Sequence, residues 1–438
     1  MTAALPTLVL SRRPRSVGPG WDDVRSWFGG APQLGKQSWP RTRVRRAPKS
    51  FVAQIDLAEV AREVARFGGP TVPAGGALAF FVGGDDWGPD SGAVVHVPRP
   101  ELGVPTPPPP DAPAVYEARG YIFPATSDQA SPRLFPRWPL TITALDLASD
   151  VDAAGPAARW AAEVAAVERH FSRPQYSFSS RAAYARLGDA PRPYWWHTAH
   201  HYVAGLQATV RGAPAVVGQR KGLDAARAEL ARRRPTGVAG VLAGLGFRTS
   251  AVSPEERKAE EAVAWHEARL AELARLTPDF ERFVREVADW VRGTDPWQPM
   301  PPEAVARLAA TFERGRTTFG DLTRYRTPDS LEEVETETLL ALATADDRAY
   351  ALLPEAVRSL IDTQHLLPPG SWHQMFGRGV DIQGAASENE GNVLLLQLVY
   401  DAMMHWEFGD MGAFQFWIPP DDLAAGNWAA VRLTFEAN

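Results

Sequence analysis

Phe51-Val52-Ala53-Gln54-Ile55-Asp56-Leu57 is the stretch that decides the fold. Its first five residues form a short apolar run suited to a buried strand. Asp56 then stands where an N-cap belongs, before an amphipathic helix through Leu57, Val60, Val64 and Ala65 that Gly68-Gly69-Pro70 stops. Near the far end of the chain the run is echoed as Leu394-Leu395-Leu396-Gln397-Leu398. A second strand follows each copy: Gly76-Ala77-Leu78-Ala79-Phe80-Phe81 after the first, Gly412-Ala413-Phe414-Gln415-Phe416-Trp417 after the second. Twice, then, an apolar strand ending in Gln precedes a strand that opens on Gly-Ala and carries two aromatics. This pattern predicts two related β units packed together.

The sequence between the copies has another character. From about 155 to 365 Ala, Leu, Glu and Arg dominate. Ser253-Pro254-Glu255-Glu256 is a capping-box start, with a hydroxyl at the N-cap and Pro at the first helical position. Val263, Leu270, Leu273 and Leu276 follow on one face. Thr277-Pro278-Asp279 reads as a tight break that restarts a helix through Phe280, Phe283, Val287 and Val291, and Thr327-Pro328-Asp329 opens a third. Short loops between such helices predict an antiparallel bundle. The tract at 105–113, rich in Pro, is neither helix nor central strand but a stiff extended loop. Val431-Arg432-Leu433-Thr434-Phe435 alternates with period two and closes the sheet. The expected architecture is α+β: β-rich halves at 1–150 and 366–438, with a helical insertion at 151–365.

Composition narrows the function. Of 438 residues 45% are hydrophobic and 22% charged, so general disorder is excluded. No Cys is present, which removes disulfides, thiol nucleophiles and Cys-ligated metal. The net charge is −6, so bulk attraction to nucleic acid is not expected. Residues 1–50 hold ten basic groups against two acidic ones, densest at Arg41, Arg43, Arg45 and Arg46. That run has no interleaved aromatics and reads as a solvated loop whose arginines meet acidic groups elsewhere. The apolar stretch Ala3–Leu10 precedes its basic residues, the wrong order for a signal peptide, and no run is long enough to span a membrane. The expectation is a cytoplasmic protein without a membrane or nucleic-acid partner.

The strand residues also carry a family resemblance. Gly29-Gly30-Ala31-Pro32-x-Leu34, Trp39-Pro40, Phe51–Leu57 and Gly76-x-Leu78-x-Phe80-Phe81 are similar to the N-terminal half of the YwqG-like family. His373-x-Met375-x-Gly377, Gln383-Gly384, Leu394–Leu398, Gly409-Asp410-x-Gly412-x-x-x-Phe416-x-Ile418 and Asp421-Asp422-Leu423 resemble its C-terminal half. Val399-Tyr400-Asp401 departs from the family's usual Ser-Asp, and Phe408 stands for its Trp. The helical middle is longer than in compact members. The resemblance implies a β-rich fold of two similar halves and no settled activity. It also implies a role as a bacterial immunity or partner-binding protein.

No motif names a reaction. Gly30-x-x-x-x-Gly35-Lys36 lacks the Ser or Thr of a P-loop, and Trp39-Pro40 forbids its helix. His197, His200 and His201 share a helical face, yet without a nearby third ligand type they read as structural. Asp85-Asp86 and Asp421-Asp422 sit at turns, where Asp caps. The candidate ligand- or partner-binding set is Trp372, His373, Gln383, Gln397, Asp401, His405 and Asp410. No catalytic residue, metal site or cofactor is assigned. Within the set, His373 and Asp401 also read as a base and its orienter, and Gln54 and Gln397 as satisfying buried backbone groups. The expected function is non-enzymatic protein binding, with toxin immunity as its particular form. The alternative is an enzyme or small-ligand binder using a cleft between the β halves.

Overall fold

The computed structural model describes residues 5–15, 24–83, 91–115, 133–147, 155–233, 253–324, 327–345 and 347–438. Its first five strands are β1 (Leu8–Arg12), β2 (Trp27–Phe28), β3 (Ser50–Asp56), β4 (Ala77–Val82) and β5 (Gly92–Val97). The next five are β6 (Trp138–Ala144), β7 (Gln374–Met375), β8 (Val393–Val399), β9 (Ala413–Ile418) and β10 (Arg432–Glu436). They form one antiparallel sheet in the order β10-β9-β8-β7-β1-β6-β2-β3-β4-β5. The ends of the sheet approach each other: a Cβ on Gly92 in β5 would lie 2.7 Å from Leu433 Cβ in β10. Phe80 and Phe416 meet edge to face at 5.1 Å.

The order is a palindrome. Reading outward from the β1–β6 pair gives β7-β8-β9-β10 on one side and β2-β3-β4-β5 on the other. The two halves have exchanged their first strands: β1 pairs with β7 and β6 with β2. Gln54 lies opposite Trp27 and Gln397 opposite Gln374, which aligns Trp27 with Gln374. Both halves carry a register shift at the matching place, between Phe51 and Ala53 and between Leu394 and Leu396. Beyond β2 and β7 the backbone turns into positive φ at matching residues, 56° and 61° at Gly29 and Gly30, 60° and 66° at Phe376 and Gly377. A Cβ on Gly29 would sit 1.9 Å from the Pro136 carbonyl oxygen, so the first half requires glycine there.

The helix α1 (Leu57–Arg66) starts where the cap places it: Asp56 Oδ1 accepts from Ala58 N and Glu59 N at 2.9 and 3.1 Å. Its counterpart in the second half is a single turn at Ala402–Met404, capped by Asp401. The proline tract forms no helix or strand, and Asp111 within it pairs with Arg41 of the basic run.

The described residues divide into two compact units, one holding those up to 192 and from 339 onwards, the other those within 193–338. Helices inside the 151–365 stretch are shared between them. The second unit packs the helices Trp196–Gly212, Pro214–Arg233, Pro254–Val291 and Pro302–Thr323 around Leu206, Leu273, Phe283, Leu308 and Phe319. One sequence expectation fails here. The helix at Pro254–Val291 runs unbroken through Pro278. Leu273, Phe280, Phe283, Val284, Val287 and Val291 are all buried on it, so the apolar stripe stays in phase on both sides of the proline. The Thr277 hydroxyl also donates to the Leu273 carbonyl at 2.8 Å. Continuous packing outweighs the hydrogen bond that Pro removes.

Candidate functional site

Two of the candidate residues form the centre of a buried polar chain. His373 immediately precedes β7, and its carbonyl accepts from Leu10 N in β1. Phe28 and Trp406 meet its ring edge-on at 4.8 and 5.3 Å. The Val399 backbone N–H donates to Nδ1 at 3.2 Å. That fixes the neutral tautomer with its proton on Nε2, which donates to Asp401 Oδ2 at 3.0 Å. Asp401 Oδ1 accepts from Met403 N, capping the turn at Ala402–Met404. Asp401 Oδ2 also pairs with Arg12 Nη1, and Arg12 Nε and Nη2 both donate to the His365 carbonyl.

Burial dominates the electrostatics. It lowers the His373 pKa, although Asp401 pulls the other way. Burial would raise Asp401, but the Arg12 charge and the His373 and Met403 hydrogen bonds overcome it and hold the carboxyl below its ordinary value. His365 falls to about 4, first through burial and then through Arg12. The geometry commits both His373 nitrogens within the fold. A general base needs one of them within reach of a substrate proton.

The same socket exists in the first half with different contents. Ser26 occupies the place of His373: its Oγ accepts from Asp56 N at 3.0 Å and donates to Glu59 Oε2 at 2.6 Å. The two glutamines correspond as well. Gln54 Oε1 accepts from Gln33 N at 2.7 Å, and Gln397 Oε1 accepts from Val380 N at 2.8 Å. Gln397 also donates to the Trp372 carbonyl and receives Gln415. These are the structural duties that the sequence suggests for Gln54 and Gln397.

The other candidates lie apart. Gln383 and Asp410 are exposed, and Gln383 joins the fold through its backbone N–H, which donates to Glu436. His405 is half-buried with φ 53°, ending the turn after Asp401. Trp372 is buried and stacks on Trp160 at 4.9 Å and 5°, with the Arg173 guanidinium 5.6 Å from its centroid. In the helical unit His197 and His201 stack at 6.0 Å, while His200 bonds to Thr294. Among the described residues no group of three His, Cys, Asp or Glu is placed to hold a metal. Asp85-Asp86 lies outside the described residues.

Sequence reasoning missed Arg12, Glu436 and Trp160. Arg12 ends an apolar strand, but Arg13 and Arg15 beside it make it read as part of a basic run. Glu436 receives the N–H groups of Ile382, Gln383 and Ala385, a role no local pattern announces. Trp160 belongs to the helix α2 (Pro156–His170) and is 42% exposed despite its stack. It borders a cavity of about 330 Å³ whose far wall is the loop Arg378–Asp381.

A fold of two such halves with a polar seam defines a class before it defines a chemistry. The family model described as "Domain of unknown function (DUF1963)" matches residues 26–153 and 260–436, and the chain belongs to that family. No curated protein matches the chain. No helix among the described residues is long and apolar enough to cross a membrane.

Proposed function

We propose that this chain is a non-enzymatic binding protein of the YwqG-like type, that its partner is a protein, and that bacterial toxin immunity is the form this takes. One observation carries the reading: the polar residues most suited to chemistry, His373, Asp401 and Arg12, are buried and bonded to one another and to backbone. Aromatic side chains stand exposed on each unit instead, Tyr176 at 73% on one and Trp265 at 58% on the other. Rigid exposed aromatics are the residues that anchor interfaces. The reading places the protein in the cytoplasm, in keeping with a chain free of Cys.

The test is affinity capture from the native cell with the wild type and with Trp265→Ala and Tyr176→Ala. A stoichiometric protein partner lost in one variant supports the reading. Turnover of a small molecule with no partner recovered ends it.

A second reading, small-ligand binding, is favoured by the cavity beside Trp160, which lies against the second β half. Its size is that of a ligand pocket.

A further inference from the structure

The cavity beside Trp160 is assembled from rigid parts. Trp160 is backed by Trp372, so its exposed ring is held flat before anything binds, and little side-chain freedom is left to lose. The opposite wall is equally fixed. Gln374 Nε2 donates to the carbonyls of Phe376 and Arg378 at 3.1 and 2.8 Å. Gln397 takes the Val380 N–H, and Gln415 donates to the Val380 carbonyl at 2.7 Å. Three glutamines on three neighbouring strands thus clamp the backbone on both sides of Arg378.

The charges are disposed unequally. Glu163 is buried and takes the Thr7 hydroxyl at 2.8 Å and Arg159 Nε at 3.1 Å, so that pair is turned into the protein. Arg378 is 41% exposed at its side chain, and its nearest carboxylate oxygen, on Asp381, is 3.7 Å away. That Asp381 is itself held by the Ser387 hydroxyl. A second cavity of about 350 Å³ shares Arg159 and Arg378 with the first and adds Asn392. The two spaces therefore meet at Arg159 and Arg378, of which Arg378 carries the exposed guanidinium. Guanidinium is the side-chain group best shaped for a carboxylate or phosphate.

We infer that this paired cavity binds a small aromatic acid, with its planar ring on Trp160 and its carboxylate or phosphate against Arg378. The inference rests on the small-ligand reading and supplies its chemical class. The first half has Ala31 at the place of Arg378.

The test is calorimetric titration of the full chain with two acids, indole-3-acetate and adenosine monophosphate, and with their uncharged counterparts, indole and adenosine. At least one acid is expected to saturate, at least tenfold tighter than its neutral counterpart. The acid that saturates identifies a carboxylate or a phosphate ester. Trp160→Ala and Arg378→Gln are each expected to weaken it tenfold or more while the melting temperature holds, since both side chains are partly exposed. Neutral probes binding as tightly as the acids would overturn the acid class and leave the small-ligand reading intact. No saturation by any of the four, or saturation unaffected by Trp160→Ala, would overturn both.

Discussion

The two halves of the sheet share a backbone plan and differ in what they place inside it. In the first half the socket beside the central strand holds a serine, a hydroxyl small enough to serve Asp56 N and Glu59 together. In the second it holds a histidine, a carboxylate and an arginine drawn from the opposite end of the chain. The helix α1 of the first half has shrunk to one capped turn in the second. Beside that turn Trp406 packs on Phe28, His373 and Phe408. A duplicated fold thus keeps its backbone hydrogen bonds and changes side chains freely around them. At the place of Ser26 the second half carries His373.

The largest test of that contrast is removal of one buried charge. Asp401→Ala leaves Arg12 buried without its counter-ion and is expected to cost about 3–5 kcal/mol in urea unfolding. Glu59→Ala, its counterpart in the first half, is expected to cost about 1 kcal/mol. Replacing both members, Arg12→Met with Asp401→Leu, is expected to recover most of the loss. Equal costs for Asp401→Ala and Glu59→Ala would show that the halves are energetically alike.

A smaller loss, about 2–3 kcal/mol, is expected for Gly29→Ala, which needs positive φ and meets a backbone oxygen. Phe376→Gly, at the matching position with φ 60°, is expected to cost about 2–4 kcal/mol, because losing a fully buried ring outweighs the roughly 1 kcal/mol of backbone strain that glycine relieves. Thermal melts of the two variants compare the halves directly.

The glutamines come next. Gln54→Leu and Gln397→Leu each strip a loop N–H of its acceptor, at about 1–3 kcal/mol. Gln397→Leu is expected to lie at the upper end, because it also abandons the Trp372 carbonyl. It alone is expected to loosen the Arg378 loop, read as weaker aromatic-acid binding in the calorimeter.

Acid stability probes the same buried cluster by another route. His365 falls from 6.5 unfolded to about 4 folded, mainly through burial. The unfolded chain binds that proton first, so stability is complete above pH 6.5 and is lost as pH falls towards about 4. Urea midpoints measured across that window are expected to drop, and His365→Gln to flatten part of the slope.

Much of the fold was legible because it is local. The strands at Phe51–Ile55 and Leu394–Leu398, the Asp56 cap and the Ser253 start depend on neighbours in sequence, and all are present. The α+β class and the paired halves follow from the repeated strand pattern. The exchange of first strands was not legible, because Leu8–Arg12 and Trp138–Ala144 carry no mark of which half each joins. Pro278 misled because helix-breaking is a local rule and the packing that overrides it is not. The candidate site was legible in residue type and not in role. His373 and Asp401 do meet, but only the structure shows that Val399 also holds the imidazole and Arg12 the carboxylate.

The central claim, that the polar seam is structural, is tested most directly by the histidine itself. Long-range ¹⁵N–¹H NMR of the full chain reports the tautomer and titration of each imidazole, with His373→Gln assigning the signal. The account predicts a neutral His373 with its proton on Nε2 and a midpoint below the ordinary 6.5. A His373 that titrates at or above 6.5, or that carries its proton on Nδ1, would contradict it.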